Sequence, residues 1–444
     1  MKNGSPGVDL SNSKLEVIVQ EFFQRPDLAN VQWMDGSYNE LTEIPPDIIK
    51  LVSMTSLNFD NNFISELSDS FSSLVKLSKL ILSNNRLKLF TPSLLQIQNL
   101  TELSLSNNKL TALPDHLGDL CNLVCLYLSH NTLQSLPSSI GKLKKLRVLD
   151  VRYNNIIELP DSTKDLCSLE RLQAYCNKLE RLPVDIGSCS RLKVLRISSN
   201  QLADLPASLG NLVLLETLDV HNNKLSHLPD CVCELAGLSE LHIGDNQISY
   251  LNENISGMLK LQTLKANSNG LQCLPTFIDS LTNLRYLHIR NNNIRTLPET
   301  MDNLHKMQVF DAKNNPIHFP PREVWERGLP AIKAYFEEIR RSGSSRSSRL
   351  KITVLGAQGS GKTSFIHCLT QSCVPDVVEP TAGIQVTRWI PVEDPDMAFI
   401  LWDHSGNALY DSTHQFFFSP GSLVFLVINL AEYIYQDPDL YYRE

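Results

Sequence analysis

An asparagine recurs every 23 residues along most of this chain, and this spacing limits the fold more than any other feature. Around each asparagine lies the pattern LxLxxNxL, as in LILSNNRL at 80–87 and LHIRNNNI at 287–294. A fixed period of about 20 to 50 residues indicates stacked units, each of which buries its apolar face against its neighbours. The recurring asparagines stand at positions 39, 62, 85, 108, 131, 154, 177, 200, 223, 246, 269, 292 and 315.

The pattern within each unit predicts a short strand followed by a turn. Alternating leucines point to one side of a strand, and the residues between them face outward. The turn leaves backbone amides buried, and an asparagine carboxamide can satisfy them because it both donates and accepts. Leu-Pro pairs, as at 113–114 and 136–137, then turn the chain away from the sheet. The units resemble the leucine-rich repeat family, so we expect an α/β solenoid of about 13 repeats over residues 30–321, with a parallel sheet on its concave face.

Segments on either side of the repeats are expected to cover the open ends of the solenoid. In the predicted N-terminal cap, residues 1–29, the sequence LEVIVQEFF carries apolar residues at the spacing of one helical face. A similar pattern at 322–340 predicts a C-terminal cap helix. The apolar faces consist of Leu15, Ile18, Val19 and Phe22 in the first segment and Ile332, Tyr335, Phe336 and Ile339 in the second.

The serine- and arginine-rich stretch at 341–349 predicts a flexible linker. Two alternatives to a solvated tether stay open because the stretch is basic. It could be phosphorylated, or it could contact lipid and so associate the protein peripherally with a membrane.

Residues 350–444 begin with an apolar strand-like segment, LKITVL, that runs into GAQGSGKTS and then an apolar-periodic helix. This strand–GxxxxGK[ST]–helix arrangement binds the phosphates of a nucleotide. Glycines let backbone amides approach phosphate oxygens, Lys362 supplies a cation, and the Thr363 hydroxyl can bind Mg²⁺. The predicted cofactor-binding loop comprises Gly356, Ala357, Gln358, Gly359, Ser360, Gly361, Lys362, Thr363 and Ser364.

Two later motifs resemble those of Ras-like GTPases. Thr381 in EPTAGI lies 18 residues after Thr363 (381 − 363), and Asp403 opens DHSG 40 residues after it (403 − 363). The resemblance implies a switch threonine at Thr381, a Walker B-type aspartate at Asp403, and an amide at Gly406 that contacts the γ-phosphate. It also implies GTP or GDP and Mg²⁺ as cofactors, with Thr363, Thr381 and Asp403 as metal ligands.

Leucine-rich repeats followed by such a domain are similar to the Roco family, and the resemblance is carried by GAQGSGKT, PTAGI, DHSGNALY and THQFFFSPGSLVFLVINLAEY. In that family the Ras-like P-loop α/β domain is called the Ras-of-complex (Roc) domain. The resemblance implies that residues 350–444 are part of such a domain. The resemblance implies an intracellular GTP-binding signalling protein, with the repeats as interaction platform and the Roc domain as nucleotide switch. It also implies slow GTP hydrolysis, because Asn407, a candidate catalytic residue, replaces the longer water-positioning glutamine.

The sequence lacks the two lysine-containing motifs with which this family reads guanine, since Lys362 is its last lysine. We therefore expect the chain to stop inside the Roc domain, before the base-recognition motifs and the COR region through which the family dimerises. Two alternatives stay open. One is a nucleotide-independent repeat scaffold with an inert Roc remnant, and the other is an ATP-binding module, since a phosphate loop alone does not select the base.

Composition narrows the partners and the compartment. The net charge of −8 argues against nucleic-acid binding, which needs a basic footprint. The longest apolar run, LVFLVINLA, is about half a membrane span, and the N-terminal MKNGSPG has no apolar signal core. We expect a cytoplasmic protein without a transmembrane segment, whose ten cysteines are reduced thiols.

Outward positions of the middle repeats mix aromatic side chains with arginines, as binding hot spots do. We therefore expect a protein partner to contact the concave face there. The candidate patch comprises Tyr127, Asp150, Arg152, Tyr153, Arg171, Tyr175 and Arg196.

Overall fold

The computed structural model describes residues 6–28, 30–342, 349–371, 379, 381, 383–390, 398–406 and 423–430. The chain divides into two compact units, residues 1–338 and residues 339–444. No helix in these described ranges has the length and apolar character needed to cross a membrane.

The first unit is built on one parallel sheet of 14 strands that lie in sequence order. The strands are β1 Gly7–Asp9, β2 Trp33–Asp35, β3 Ser56–Asn58, β4 Lys79–Ile81, β5 Glu102–Ser104, β6 Cys125–Tyr127, β7 Val148–Asp150, β8 Arg171–Gln173, β9 Val194–Arg196, β10 Thr217–Asp219, β11 Glu240–His242, β12 Thr263–Lys265, β13 Tyr286–His288 and β14 Val309–Asp311.

From β2 onward each strand residue lies opposite the residue 23 positions later in the chain. Leu126 pairs with Leu149, and Leu149 pairs with Leu172. These central leucines are fully buried, and most of the residues that flank them are half-buried or exposed. The outward side chains form one surface, which we call the sheet face. It consists of the first and third residues of strands β2–β14 together with the residue two positions after each strand.

Each repeat asparagine binds backbone groups of its own repeat and of the preceding one. The Oδ1 of Asn200 accepts from the Leu179 amide at 2.9 Å, and its Nδ2 donates to the Ala174 and Ile197 carbonyls at 3.0 and 2.9 Å. The same pattern recurs at all thirteen positions. The predicted asparagine ladder is therefore confirmed.

The residue before each ladder asparagine has a left-handed backbone conformation, with φ between 51° and 57°. Eight of these thirteen residues are Asn, Asp or His, the side chains that tolerate this region best after glycine. The other five, which include Tyr153 and Cys176, adopt it as well. The ladder bonds on either side therefore hold the turn in one geometry whatever side chain it carries.

The segments that return from each strand to the next are mostly short 3-10 helices. Several begin directly after the proline of a Leu-Pro pair, as at Pro137 and Pro160, which precede helices 138–142 and 161–165. The 3-10 helices are Gln20–Gln24, Pro26–Leu28, Pro46–Lys50, Asp69–Ser73, Pro92–Gln96, Leu117–Asp119, Ser138–Lys142, Asp161–Asp165, Ile186–Ser188, Ala207–Asn211, Glu253–Gly257, Ile278–Ser280 and Glu299–Asn303, and a four-residue α-helix, α1 Asp230–Cys233, replaces one of them.

The N-terminal segment does not form the predicted amphipathic helix. Leu15 lies outside any helix, and both its backbone groups bind the first repeat: its amide donates to Asn39 Oδ1 at 3.0 Å and its carbonyl accepts from the Glu40 amide at 2.8 Å. Ile18 is buried, but Val19 is exposed, so the predicted apolar face does not exist. Asn39, the first ladder asparagine, therefore binds the N-terminal segment in the way that later asparagines bind the preceding repeat. Strand β1 of this segment extends the sheet.

The predicted C-terminal cap helix is two helices, α2 Arg322–Trp325 and α3 Leu329–Ser342. They are separated at Gly328, whose φ of +85° a continuous helix cannot contain. Residues 343–348 of the predicted linker lie outside the described residues.

Helix α3 contacts the last repeats through one face. Ile332 and Phe336 are buried, and the Phe336 ring lies 5.8 Å from the ring of Phe319. The ammonium group of Lys333 donates to the Leu304 carbonyl at 2.7 Å. The apolar open end of the solenoid is covered in this way.

The described elements of the second unit are β15 Arg349–Leu355, α4 Lys362–Gln371, β16 Ile384–Trp389, β17 Ala398–His404 and β18 Leu423–Leu426. The four strands form a mixed sheet in the order β16-β17-β15-β18. Strand β15 pairs in parallel with β17 and β18, whereas β16 pairs antiparallel with β17.

A small apolar core joins this sheet to helix α4. Ile352, Val354, Ile366 and Leu401 are buried together, and Phe365 is among the side chains packed against them. The core fixes the start of α4 beside the ends of β15 and β17, where the candidate site lies.

Candidate functional site

The loop between β15 and α4 has a backbone that only glycine fits at its key positions. Gly356 has a φ of +148°, and a Cβ there would lie 2.2 Å from the Val427 carbonyl oxygen. Gly359 and Gly361 also have positive φ values, of +80° and +94°. The predicted glycine loop therefore leaves β15 in a tight turn and enters α4 through backbone conformations that favour glycine.

Lys362, the first residue of α4, turns back over this loop. Its ammonium group donates to the Gly356 and Ala357 carbonyls at 2.7 and 2.8 Å, and the side chain is buried. Burial lowers the pKa of Lys362, and the neighbouring Asp403 carboxylate partly opposes this effect. The lysine is thus a buried cation at the edge of a cavity, held by carbonyl groups that an anionic ligand could replace.

Three oxygen-bearing side chains from separate segments meet beside the lysine. The Thr363 hydroxyl lies 2.6 Å from Asp403 Oδ2 and 2.9 Å from the Thr381 hydroxyl, which itself donates to Asp403 Oδ2 at 3.0 Å. Asp403 is 2% exposed at the end of β17. Its second oxygen, Oδ1, is buried and has no hydrogen-bond partner among the described residues.

This cluster fits Mg²⁺. The ion prefers hard oxygen ligands and is commonly held by one or two protein groups together with substrate phosphates. The threonine hydroxyls and the carboxylate supply such oxygens, and the unpartnered Oδ1 of Asp403 is an acceptor that a cation or its bound water would satisfy.

Gly406, two residues after β17, touches the phosphate loop. A Cβ at this position would lie 2.3 Å from the Gln358 amide nitrogen and 2.6 Å from the Lys362 ammonium. Loop and strand end therefore enclose a common cavity of about 360 Å³. Its lining comprises Gln358, Gly359, Gly361, Lys362, Thr363, Ser364, Glu379, Thr381, His404, Ser405 and Gly406.

Most of the predicted site residues are thus brought to one cavity. Asp403 joins it through the two threonines, and Ala357 through its bond to Lys362. Asn407 lies outside the described residues. The sequence did not predict Glu379, which lines the cavity and which only its place two residues before Thr381 could have indicated. The sequence also indicated no role for His404, which is buried against the cavity.

The predicted patch on the sheet face is in part a contacting cluster. The Arg152 guanidinium donates to the Tyr175 hydroxyl at 2.6 Å and lies 3.3 Å from the Asp150 carboxylate. The Tyr153 ring packs edge-on to Tyr175 at 5.6 Å and stacks on His130 at 4.3 Å. His130, which the prediction omitted, belongs to this aromatic row.

Tyr127 lies beside the cluster in an open groove of about 440 Å³. Burial, and then the neighbouring Cys125, Glu102 and Asp150, raise the pKa of Tyr127 to about 12. The groove is lined by Ile81, Glu102, Ser104, Ser106, Tyr127, Ser129, Asp150, Arg152 and Gln173.

An aspartate–histidine pair lies further along the sheet face. His221 Nδ1 and Asp219 Oδ1 are 2.6 Å apart, and His242 Nδ1 lies 4.0 Å from the other carboxylate oxygen. The bond to Asp219 raises the pKa of His221. Burial, the largest single effect, raises the pKa of the Asp219 carboxyl, but the side-chain bond, the charge and the backbone amide of His221 together outweigh it and lower that pKa.

Comparison with known families assigns both units. Leucine-rich repeat families match residues 29–87, 106–195, 174–274 and 283–304. The family described as Ras of Complex, Roc, domain of DAPkinase matches residues 351–443. A solved leucine-rich-repeat protein of Leptospira interrogans is 31% identical, with a TM-score of 0.68, over 72% of this chain and 80% of that protein.

Curated relatives match over shorter stretches. The chain is 38% identical over 120 residues to the malignant fibrous histiocytoma-amplified sequence 1 homolog of Xenopus tropicalis, which is 27% of this chain and 12% of that protein. It is 26% identical over 129 residues to the probable serine/threonine-protein kinase roco5 of Dictyostelium discoideum, 19% of this chain and 5% of the kinase. The matches therefore span only a small part of these relatives.

Proposed function

Because this chain belongs to the leucine-rich-repeat proteins and carries a Roc domain after its repeats, as Roco proteins do, we propose that it is a guanine-nucleotide-regulated signalling protein. In this proposal the Roc domain binds GTP or GDP with Mg²⁺, the repeats bind a protein partner, and the nucleotide state modulates that binding.

The observation that carries the nucleotide proposal is the oxygen cluster of Thr363, Thr381 and Asp403. The three residues come from a helix start, a connecting segment and a strand end, and their side-chain oxygens lie within 2.6 to 3.0 Å of one another. Such convergence is expected if the residues share one cation. When bound, Mg²⁺ would neutralise negative charge on the terminal phosphates.

The phosphate loop supports the same proposal. Lys362 is a buried cation whose present partners are two loop carbonyls, and the close approach at Gly406 leaves room only for a backbone amide. We propose that Lys362 and the loop amides of residues 356–364 hold the β- and γ-phosphates, and that the Gly406 amide donates to the γ-phosphate.

Thr381 is proposed as the residue that couples nucleotide to conformation. Its hydroxyl is tied to Thr363 and Asp403, so its segment would be held while those oxygens share a cation. Loss of the γ-phosphate would then loosen the segment. We also propose that hydrolysis is slow, with Asn407 as the residue nearest in type to a water-positioning glutamine.

The repeats are proposed as the partner platform, with the cluster around Arg152 and Tyr175 at its centre, because it combines arginine with exposed aromatic surface. We place the protein in the cytoplasm. Exposed free thiols such as Cys121 and Cys273 persist in a reducing compartment.

Titration of the full chain with mant-GTP and mant-ATP tests the nucleotide proposal. We expect saturable mant-GTP binding that Lys362→Ala weakens about tenfold or more, because a charge-assisted contact to phosphate is lost. Lys224→Ala is the matched control, since that ammonium donates to Gln201 in the repeats. Tighter binding of mant-ATP than of mant-GTP would show that the site prefers adenine to the proposed guanine. Binding of neither nucleotide would favour a scaffold with an inert Roc domain.

A further inference from the structure

Two arginines on the sheet face differ from the charged side chains around them. Within strands β3–β9 and the residues two positions after them, every other charged side chain has a described partner. Lys79 pairs with Glu102 at 2.8 Å, and Arg152 lies 3.3 Å from Asp150. The remaining aspartate, Asp60, accepts from Asn84 at 2.9 Å.

Arg171 and Arg196 are exposed, and neither forms an ion pair or a side-chain hydrogen bond within the part of the chain that the structure describes. They occupy adjacent strands in fixed register, with Arg171 opposite Val194 and Gln173 opposite Arg196. Gln173 therefore neighbours both arginines, two positions along strand β8 from Arg171 and opposite Arg196 on β9. On its other side Arg196 lies opposite Asp219, whose carboxylate is bonded to His221. Two unpaired cations next to one amide offer donors to an anionic group that can accept several hydrogen bonds.

The groove beside these arginines can take an extended chain. Its floor carries small hydroxyl side chains, with the Ser106 and Ser129 hydroxyls 2.9 Å apart. Its lining also includes Arg152, whose guanidinium is already engaged by Tyr175, and the carboxylates of Glu102 and Asp150, which are paired with Lys79 and Arg152. Gln173 belongs to both the groove and the arginine pair, so the two form one continuous surface.

We propose that this surface binds an extended acidic segment of a partner protein, with one anionic group of that segment held between Arg171 and Arg196. The inference rests on the proposed partner-binding role of the repeats and adds the chemistry of the partner. Carboxylate and phosphate share the recognising chemistry, because both present planar or tripodal oxygens to a guanidinium fork. The rigid row of His130, Tyr153 and Tyr175 borders the surface and offers aromatic contact at little cost in side-chain entropy.

Fluorescence anisotropy with labelled peptides on the full chain tests this proposal. The probes are a peptide of alternating Glu and Gly, the same peptide with phosphoserine in place of two glutamates, and a peptide of alternating Lys and Gly. We expect both acidic peptides to bind better than the lysine peptide, with affinity that falls as salt rises because exposed charges are screened. Their relative affinity distinguishes carboxylate from phosphate as the preferred group.

Variants locate the binding. Arg171→Gln and Arg196→Gln should each weaken binding of the acidic peptide by roughly twofold to fivefold, as for single exposed charge contacts. Arg191→Gln is the matched control, because that arginine is exposed in the same repeat as Arg196 but lies outside strand β9. Arg171→Lys should retain part of the affinity, since it keeps the charge but not the fork.

Four outcomes overturn the inference. No binding of either acidic peptide, or equal loss in Arg191→Gln and the two sheet-face variants, removes the arginine site. Better binding of the lysine peptide would keep the repeats as a partner platform and reject only the acidic chemistry. If the protein binds phosphatidylserine vesicles but not the acidic peptides, the ligand of this surface is a membrane and not a partner protein. Mant-GTP affinity of the same samples reports separately on the Roc proposal.

Discussion

Removal of one ladder asparagine tests whether these side chains stabilise the solenoid. In Asn177→Ala the shortest bonds to be lost are one accepted by Oδ1 from the Ile156 amide at 3.0 Å, and those donated by Nδ2 to the Val151 and Ala174 carbonyls at 2.9 and 3.2 Å. The two carbonyls keep a second donor each, from Asn154 and Asn200 at 3.0 Å.

The Ile156 amide has no other acceptor among the described residues. The cost is therefore that of one buried, unsatisfied N–H group, about 1–3 kcal/mol. Urea unfolding of the full chain, followed by far-ultraviolet circular dichroism, measures this loss. Asn211→Ala is the control, since that asparagine is exposed at the end of a 3-10 helix. Equal midpoints for the two variants would refute the role assigned to the ladder.

Two further predictions concern the phosphate loop and the aspartate–histidine pair. Gly356→Ala should abolish mant-GTP binding, because its Cβ would lie 2.2 Å from the Val427 carbonyl at a φ of +148°; Gly257→Ala, with open space around it, should bind as the wild type does. The Asp219–His221 pair should stabilise the fold at pH values between the lowered pKa of Asp219 and the raised pKa of His221. This stabilisation should be lost as pH falls through the pKa of Asp219, and lost again as pH rises through the pKa of His221. Thermal melting across pH should show both slopes in the wild type and neither in Asp219→Asn, and unchanged slopes in that variant would contradict the assignment.

Sequence periodicity predicted the repeats because one physical constraint recurs in each of them. The leucine spacing fixes which side chains are buried, and the asparagine fixes the turn, so the parallel sheet and its register follow from a count of 23. The first strand was missed because it breaks both rules. Glu16 stands 23 residues before Asn39, and Gly7 lies 26 rather than 23 residues before its partner Trp33.

The predicted N-terminal helix was wrong for a related reason. Helical periodicity in LEVIVQEFF reports only the apolar pattern of the segment, whereas the bonds that Leu15 forms with Asn39 and Glu40 come from the neighbouring repeat. Tertiary bonds of this kind override local pattern in a short segment. Similarly, the left-handed turn could be anticipated where the sequence reads Asn-Asn, but not at Tyr153 or Cys176.

The sequence predicted which residues form the candidate site, but only part of how their side chains are arranged. Motif spacing names Lys362, Thr363, Thr381 and Asp403, because each has a fixed chemical task. It cannot show that Lys362 is folded onto loop carbonyls, since this depends on the packing of β17 beside the loop.

The Mg²⁺ dependence of nucleotide binding tests the central claim most directly. Mant-GTP affinity is measured on the full chain across a Mg²⁺ titration, in the wild type, in Thr363→Ala and in Thr370→Ala. Thr370 lies on the same helix and its hydroxyl bonds to backbone carbonyls of that helix, so it controls for loss of a threonine hydroxyl. We expect affinity to rise with Mg²⁺ in the wild type and in Thr370→Ala, and to become insensitive to it in Thr363→Ala. Mg²⁺-independent binding in the wild type, or an undiminished Mg²⁺ response in Thr363→Ala, would contradict the assignment of this oxygen cluster as the metal site.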